Sequence, residues 1–190
     1  MEALLVSTGV VALGEIGDKT QLLALVLAAR YRQPLPIVAG IAIATLANHA
    51  LAAAVGEWIQ SALGPQALRH ALGLGFIAMA AWALIPDRLD DEQAAIRHAR
   101  WGMFGVTLVS FFLAEIGDKT QIATVMLAAR FGEFWPVVVG TTAGMLIANV
   151  PVVLLGRAAA PWIPMRAIRW LAAVVFAGLG GLVLLYGTAL

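Results

Sequence analysis

Glu15 and Asp18 stand three residues apart in the string Glu15-Ile16-Gly17-Asp18-Lys19-Thr20-Gln21, and the same seven letters return as Glu115-Ile116-Gly117-Asp118-Lys119-Thr120-Gln121. Each copy lies inside a long apolar stretch. Charged groups are expensive in lipid, so a hydrophobic chain that carries two acids and a lysine at mid-span, and does so twice, uses them. If each string continues as helix, the i, i+3 spacing places Glu15, Asp18 and Gln21 on one face, and Glu115, Asp118 and Gln121 on another. Brought together, four carboxylates and two amide oxygens form a hard, oxygen-rich cage. Such a cage suits Ca²⁺, Mn²⁺ or Mg²⁺ and not a soft ion such as Cu(I).

Charge points to a divalent ion. The four carboxylates against Lys19 and Lys119 leave two net negative charges if every group is ionised. A low-dielectric site tolerates that charge poorly, so it fills with protons when the metal leaves. Competition between metal and protons for one set of carboxylates, combined with alternating access, is a mechanism for antiport. No phosphate-binding loop is visible, which leaves an ion gradient as the energy source.

Around the acids, Lys19 and Lys119 read as electrostatic or structural support, and Thr20 and Thr120 as supporting hydroxyls that back-bond to their own helices. Gly17 and Gly117 either let a partner helix approach or let the helix break and expose carbonyl oxygens. Asn48 and Asn149 lie at matching depths in the second and fifth apolar segments. Their amides either complete the cation shell or hydrogen-bond a neighbouring helix. His49 corresponds to Asn149 in the second copy, which favours hydrogen bonding over titration, with a ligand or proton-relay role as the alternative.

The elements that position these residues follow from composition. Hydrophobic residues make up 62% and charged residues 12% of the 190, and the mean hydropathy is +0.91. Soluble domains carry roughly 25% charged residues, so the chain reads as an all-α integral membrane protein with the lipid bilayer as its solvent. Six apolar segments fall at 3–29, 35–59, 67–86, 101–129, 135–157 and 167–189. Each is close to the roughly 20 residues a spanning helix needs. Two three-helix repeats, 1–86 and 101–190, are joined by a charged linker, 87–100, read as cytoplasmic. Three spans per repeat is odd, so the second copy enters from the opposite side and the duplication is inverted.

Arginines set the orientation. One side holds Arg30, Arg32, Arg88, Arg97, Arg100, Arg157, Arg166 and Arg169; the other holds only Arg69 and Arg130. The first side is expected to be cytoplasmic, with both termini outside or periplasmic. Met1-Glu2 lacks the basic start of a signal peptide, so the first segment is expected to remain as a membrane helix. Most of the tryptophans fall near segment ends, as headgroup anchors do. Close-spaced glycines at 73, 75, 140, 144, 178, 180 and 181 are expected to serve tight helix packing.

Other classes find little support. No Lys/Arg-rich run offers a phosphate-binding stripe, so nucleic acid is not an expected partner. Without cysteine there is no thiolate metal site or redox couple. Neither a cofactor box nor a nucleophile with its base appears, so the chain is not read as an enzyme. A passive cation channel, or an intramembrane enzyme or assembly factor, competes as an alternative. Discrete paired acids in an inverted repeat favour an exchanger. The sequence sets no oligomeric state.

The duplicated block resembles the Gdt-type cation exchangers, which include bacterial manganese exporters and Golgi Ca²⁺/Mn²⁺–proton exchangers and carry two copies of Glu-x-Gly-Asp-Lys/Arg-Thr/Ser. Both copies here fit without departure, and the resemblance spans essentially the whole chain. It implies that the acids of both motifs bind the transported cation, with protons as the exchanged partner. For a compact bacterial-style chain it implies Mn²⁺ export across a bacterial inner membrane, with Ca²⁺/proton antiport as the alternative. Oxygen ligands alone leave Mn²⁺ and Ca²⁺ both open.

Overall fold

A computed structural model describes residues 1–85, 102–155 and 165–187. The charged linker expected at 87–100 lies outside the described residues, as do Trp101, Pro161, Trp162 and Pro164. Among the described residues the protein is all helical. Its elements are α1 (Glu2–Glu15), α2 (Lys19–Tyr31), α3 (Pro34–Ala62), α4 (Pro65–Ala83), α5 (Gly102–Glu115), α6 (Lys119–Phe131), α7 (Phe134–Leu155) and α8 (Met165–Tyr186).

The segments 3–29 and 101–129, read as continuous helices, are each broken in two at the repeated motif. Gly17 takes φ 84° and Gly117 takes φ 75°. That left-handed conformation costs an L-residue about 1–2 kcal/mol and glycine almost nothing. Asp18 N–H then donates to Glu15 O at 3.0 Å, and Asp118 N–H to Glu115 O at 3.1 Å. Asp18 and Asp118 become the N-caps of α2 and α6. The acids of one motif are therefore gathered by a turn, and not by sharing a helical face.

Prolines and left-handed residues set the other boundaries. Pro34 opens α3 and Pro65 opens α4, where a missing N–H is harmless. Arg32 and Gly132 close α2 and α6 in the left-handed region, each donating its N–H to an alanine carbonyl four residues back.

Packing interleaves the two copies. In the first copy α3 lies against α5 and α6 of the second, and in the second α7 lies against α1 and α2 of the first; α3 also meets α7, and α4 meets α8. The α1–α7 contact is close: a Cβ on Gly144 would stand 2.6 Å from Thr8 O and 2.9 Å from Ala12 N. Overpacking of this kind costs about 1–3 kcal/mol, so Gly144→Ala is expected to lower the thermal midpoint of the purified protein. An unchanged midpoint would show that α1 and α7 part easily. Gly73 and Gly180 likewise face each other across α4 and α8, whereas Gly178 and Gly181 have nothing within 4 Å and make no tight contact.

Among the described residues three helices, at Pro34–Ala62, Phe134–Leu155 and Arg166–Tyr186, are long and apolar enough to cross a membrane. Leu5, Leu51, Leu74, Leu154 and Val174 are all exposed, an apolar exterior that matches lipid better than water. Trp58, Trp135 and Trp170 are exposed near helix ends. Trp82 instead takes the Lys119 ammonium over its ring, 5.9 Å from the centroid.

Candidate metal centre at the two helix breaks

The buried acids lie where the helices break. Glu15 and Glu115 end α1 and α5 with no exposed surface, and Asp18, Asp118, Thr20, Thr120, Asn48, His49 and Asn149 are buried beside them. Three carboxylates from the two copies, Glu15, Asp18 and Asp118, each offer an oxygen within 4.8 Å of the others. Glu115 joins them through a hydroxyl: Thr120 Oγ1 lies 3.1 Å from Glu115 Oε2 and 3.2 Å from Asp118 Oδ2. Three of the four acids thus meet at one place, with Glu115 linked to them through Thr120, although 100 positions of sequence separate the copies.

Glu15 is oriented by its own copy and by the other. Thr20 Oγ1 donates to Glu15 Oε2 at 2.6 Å, across the turn and not along its own helix. Asn149, on α7, donates its Nδ2 to the same oxygen at 3.1 Å. In the second motif Thr120 plays the part of Thr20, and His49, on α3, stands where Asn149 stands, with Nε2 3.9 Å from Glu115 Oε2. Among the described residues Glu15 Oε1 and Glu115 Oε1 are buried without a hydrogen-bond partner. An ionised oxygen left so is costly in a dry interior and is a ready ligand.

The glutamines stabilise the breaks. Gln21 Oε1 accepts from Gly17 N–H at 2.9 Å, and Gln121 Oε1 accepts from Gly117 N–H at 2.7 Å. Each side-chain carbonyl thereby pairs a backbone donor that the turn exposes. Gln21 Nε2 donates to Ala148 O at 3.1 Å, and Gln121 Nε2 lies 3.5 Å from Asn48 Oδ1. Pro151 inside α7 bears on the first of these contacts. Without an N–H it cannot pair the carbonyl four residues back, which adjoins Ala148, whose own carbonyl accepts from Gln21. A proline within a predicted apolar span was the signal available in the sequence. Asn48 donates to Phe112 O at 3.0 Å and so ties α3 to α5.

Lys19 Nζ lies 3.5 Å from Asp118 Oδ1, so the lysine of the first motif neutralises an acid of the second. Lys119 Nζ donates to Ile85 O at 3.2 Å, beyond the end of α4. Asp118 also accepts from Thr120 N–H at 3.4 Å, capping α6, where α2 has no such bond from Asp18. A cavity of about 20 Å³ between α1, α4, α6 and α8 reaches Asp18, Lys119 and Thr120. It has room for about one water-sized particle.

Comparison with known proteins follows the same division. The family described as "Divalent cation/proton antiporter GDT1" matches residues 3–91 and again 103–189, one match per copy. A Vibrio cholerae protein named "Putative manganese exporter" is 52% identical over 178 residues, covering 93% of this chain and 87% of its own length. A GDT1-like protein of Synechocystis is 27% identical over 188 residues, covering 87% of this chain and 88% of its own. No solved structure matches the chain. With both halves matched in full and a relative of this identity along nearly its whole length, the chain belongs to the GDT1 family of divalent cation/proton antiporters.

Proposed function

We propose that the protein exports Mn²⁺ from the cytoplasm in exchange for protons, using one site built from Glu15, Asp18, Glu115 and Asp118. The observation that carries this reading is the meeting of buried acids from both copies at the two helix breaks. A helix that ends inside the membrane leaves carbonyls unpaired and is tolerated there only where it is buried in protein or lines a cavity. Broken spans around a midplane site are a recurring plan of transporters with inverted repeats. Here α1–α2 and α5–α6 would each cross as one broken span, with α3, α4, α7 and α8 as whole ones. Six crossings result, in two inverted repeats. At about 1.5 Å per residue, the 19 residues of α4 reach nearly across the hydrocarbon core.

Chemistry follows from the charge. A divalent ion among the four carboxylates offsets their repulsion, and protons do the same after it leaves. Neither state leaves bare charge in low dielectric, so each ligand class expels the other. Lys19 offsets Asp118 when the metal is absent, and Gln21 and Gln121 hold the breaks open at fixed geometry. The name of the Vibrio relative favours Mn²⁺ as cargo. A bacterial inner membrane is the proposed location.

Metal uptake into proteoliposomes with an imposed pH gradient, with Mn²⁺, Ca²⁺ and Mg²⁺ side by side, tests this function. Mn²⁺ is expected to accumulate against its gradient only while the proton gradient lasts. Accumulation of Ca²⁺ alone would reassign the cargo, and flux that ignores the proton gradient would make the protein a channel. Orientation has its own test. A cysteine placed between residues 87 and 100 is expected to resist an impermeant thiol reagent in intact cells, while one at Leu190 labels. Labelling of the linker at the rate of the Leu190 site would invert the assignment.

A further inference from the structure

The two copies differ in chemistry at one position that touches the acids. Asn149 hydrogen-bonds Glu15 at 3.1 Å, whereas its counterpart His49 stands 3.9 Å from Glu115. That separation is too long for a hydrogen bond. Among the described residues His49 is wholly buried and neither ring nitrogen has a hydrogen-bond partner. An imidazole with both nitrogens unpaired in a dry interior is costly unless something else occupies it. Two ligands held about 2.2 Å from one ion can lie up to about 4.4 Å apart, so His49 Nε2 and Glu115 Oε2 at 3.9 Å can chelate a single cation.

We propose that His49 Nε2 is a direct ligand of the transported cation beside Glu115, and that this nitrogen makes the site prefer Mn²⁺ to Ca²⁺. The inference rests on the acid site proposed above and adds to it a nitrogen donor. Ca²⁺ takes oxygen ligands almost without exception, and a set of carboxylates and amides serves it as well as it serves Mn²⁺. Imidazole nitrogen suits first-row transition ions, of which Mn²⁺ is the weakest binder. One nitrogen in an otherwise oxygen cage therefore separates two ions that the acids alone treat alike. The duplication explains why a single nitrogen is present: Asn149 fills the matching place in the other half and spends its amide on Glu15.

The test uses tag-free full-length protein in lipid nanodiscs, with His70 and His98 replaced by Gln so that His49 is the one remaining histidine. Mn²⁺ alone is added, and pulsed electron paramagnetic resonance reads nitrogen couplings of the bound ion. A coupling typical of directly bound imidazole is expected. In the same background His49→Asn, the residue its counterpart already carries, should abolish the coupling and weaken Mn²⁺ binding about 10-fold or more while Ca²⁺ binding is unchanged. Bound Mn²⁺ with oxygen ligands only would overturn the role of His49 and leave the acid site standing. If Mn²⁺ fails to bind at all, both readings fall. Equal losses of Mn²⁺ and Ca²⁺ in His49→Asn would reduce the residue to a packing role. The wild-type coupling decides the ligand question even if the variant does not fold.

Discussion

Asp118→Asn is expected to reduce Mn²⁺ exchange by about 100-fold or more while the protein remains folded in the membrane. Outer-sphere partners of a metal site alone are worth about 10–100-fold in affinity, and Asp118 is proposed as an inner one. Its carboxylate lies 3.5 Å from Lys19 Nζ, takes the Thr120 N–H at 3.4 Å and reaches Glu15 and Asp18 within 4.8 Å. The amide keeps the size and an acceptor for the α6 cap but removes one of four negative charges. It also leaves the Lys19 ammonium beside a neutral group, which disfavours a second cation there. Transport by reconstituted protein, normalised to the amount that elutes as wild type from a sizing column, checks the result. Activity within a few-fold of wild type would remove Asp118 from the site.

Gly117→Val is expected to lower exchange about 10-fold or more, while Gly117→Asn keeps most of it. At φ 75° the residue sits in the left-handed region, and a Cβ built there meets nothing within 4 Å. Space is therefore not the obstacle. Valine resists the conformation by more than the usual 1–2 kcal/mol for an L-residue, whereas asparagine is among the few side chains that visit it readily. A backbone forced out of that region loses the turn that sets Glu115 against Asp118 and offers Gly117 N–H to Gln121. Equal loss in both variants would mean that the missing side chain, and not the backbone angle, is what the position needs.

Much of this arrangement can be read from the sequence, and the remainder has physical reasons for being hidden. The duplicated motif is local and literal, so the acids, the family resemblance and the apolar segments around them are visible at once. The breaks are not. One glycine costs a helix only about 1 kcal/mol, and Glu-Ile-Gly-Asp-Lys reads as helix or turn with equal ease until tertiary contacts choose. The threonines illustrate the same limit, since a hydroxyl that back-bonds in a continuous helix reaches Glu15 or Glu115 once the chain turns. His49 depends on a relation no local window holds. It stands beside the acid of the opposite copy because α3 packs on α5 and α6, and comparison with Asn149 alone favours a hydrogen bond over a ligand or relay role.

One shared cation site is the central claim, and a double-mutant cycle on Mn²⁺ binding tests it most directly. Binding to the wild type, Asp18→Asn, Asp118→Asn and the double variant is measured by titration calorimetry in detergent. Residues that ligate one ion are strongly coupled, so each single change should remove most of the binding and the second should add far less than its own effect. Two independent sites give the opposite pattern. Were each single variant to keep half of the bound Mn²⁺ at wild-type affinity, with only the double variant losing all of it, the two motifs would be separate sites and the shared cage would not exist.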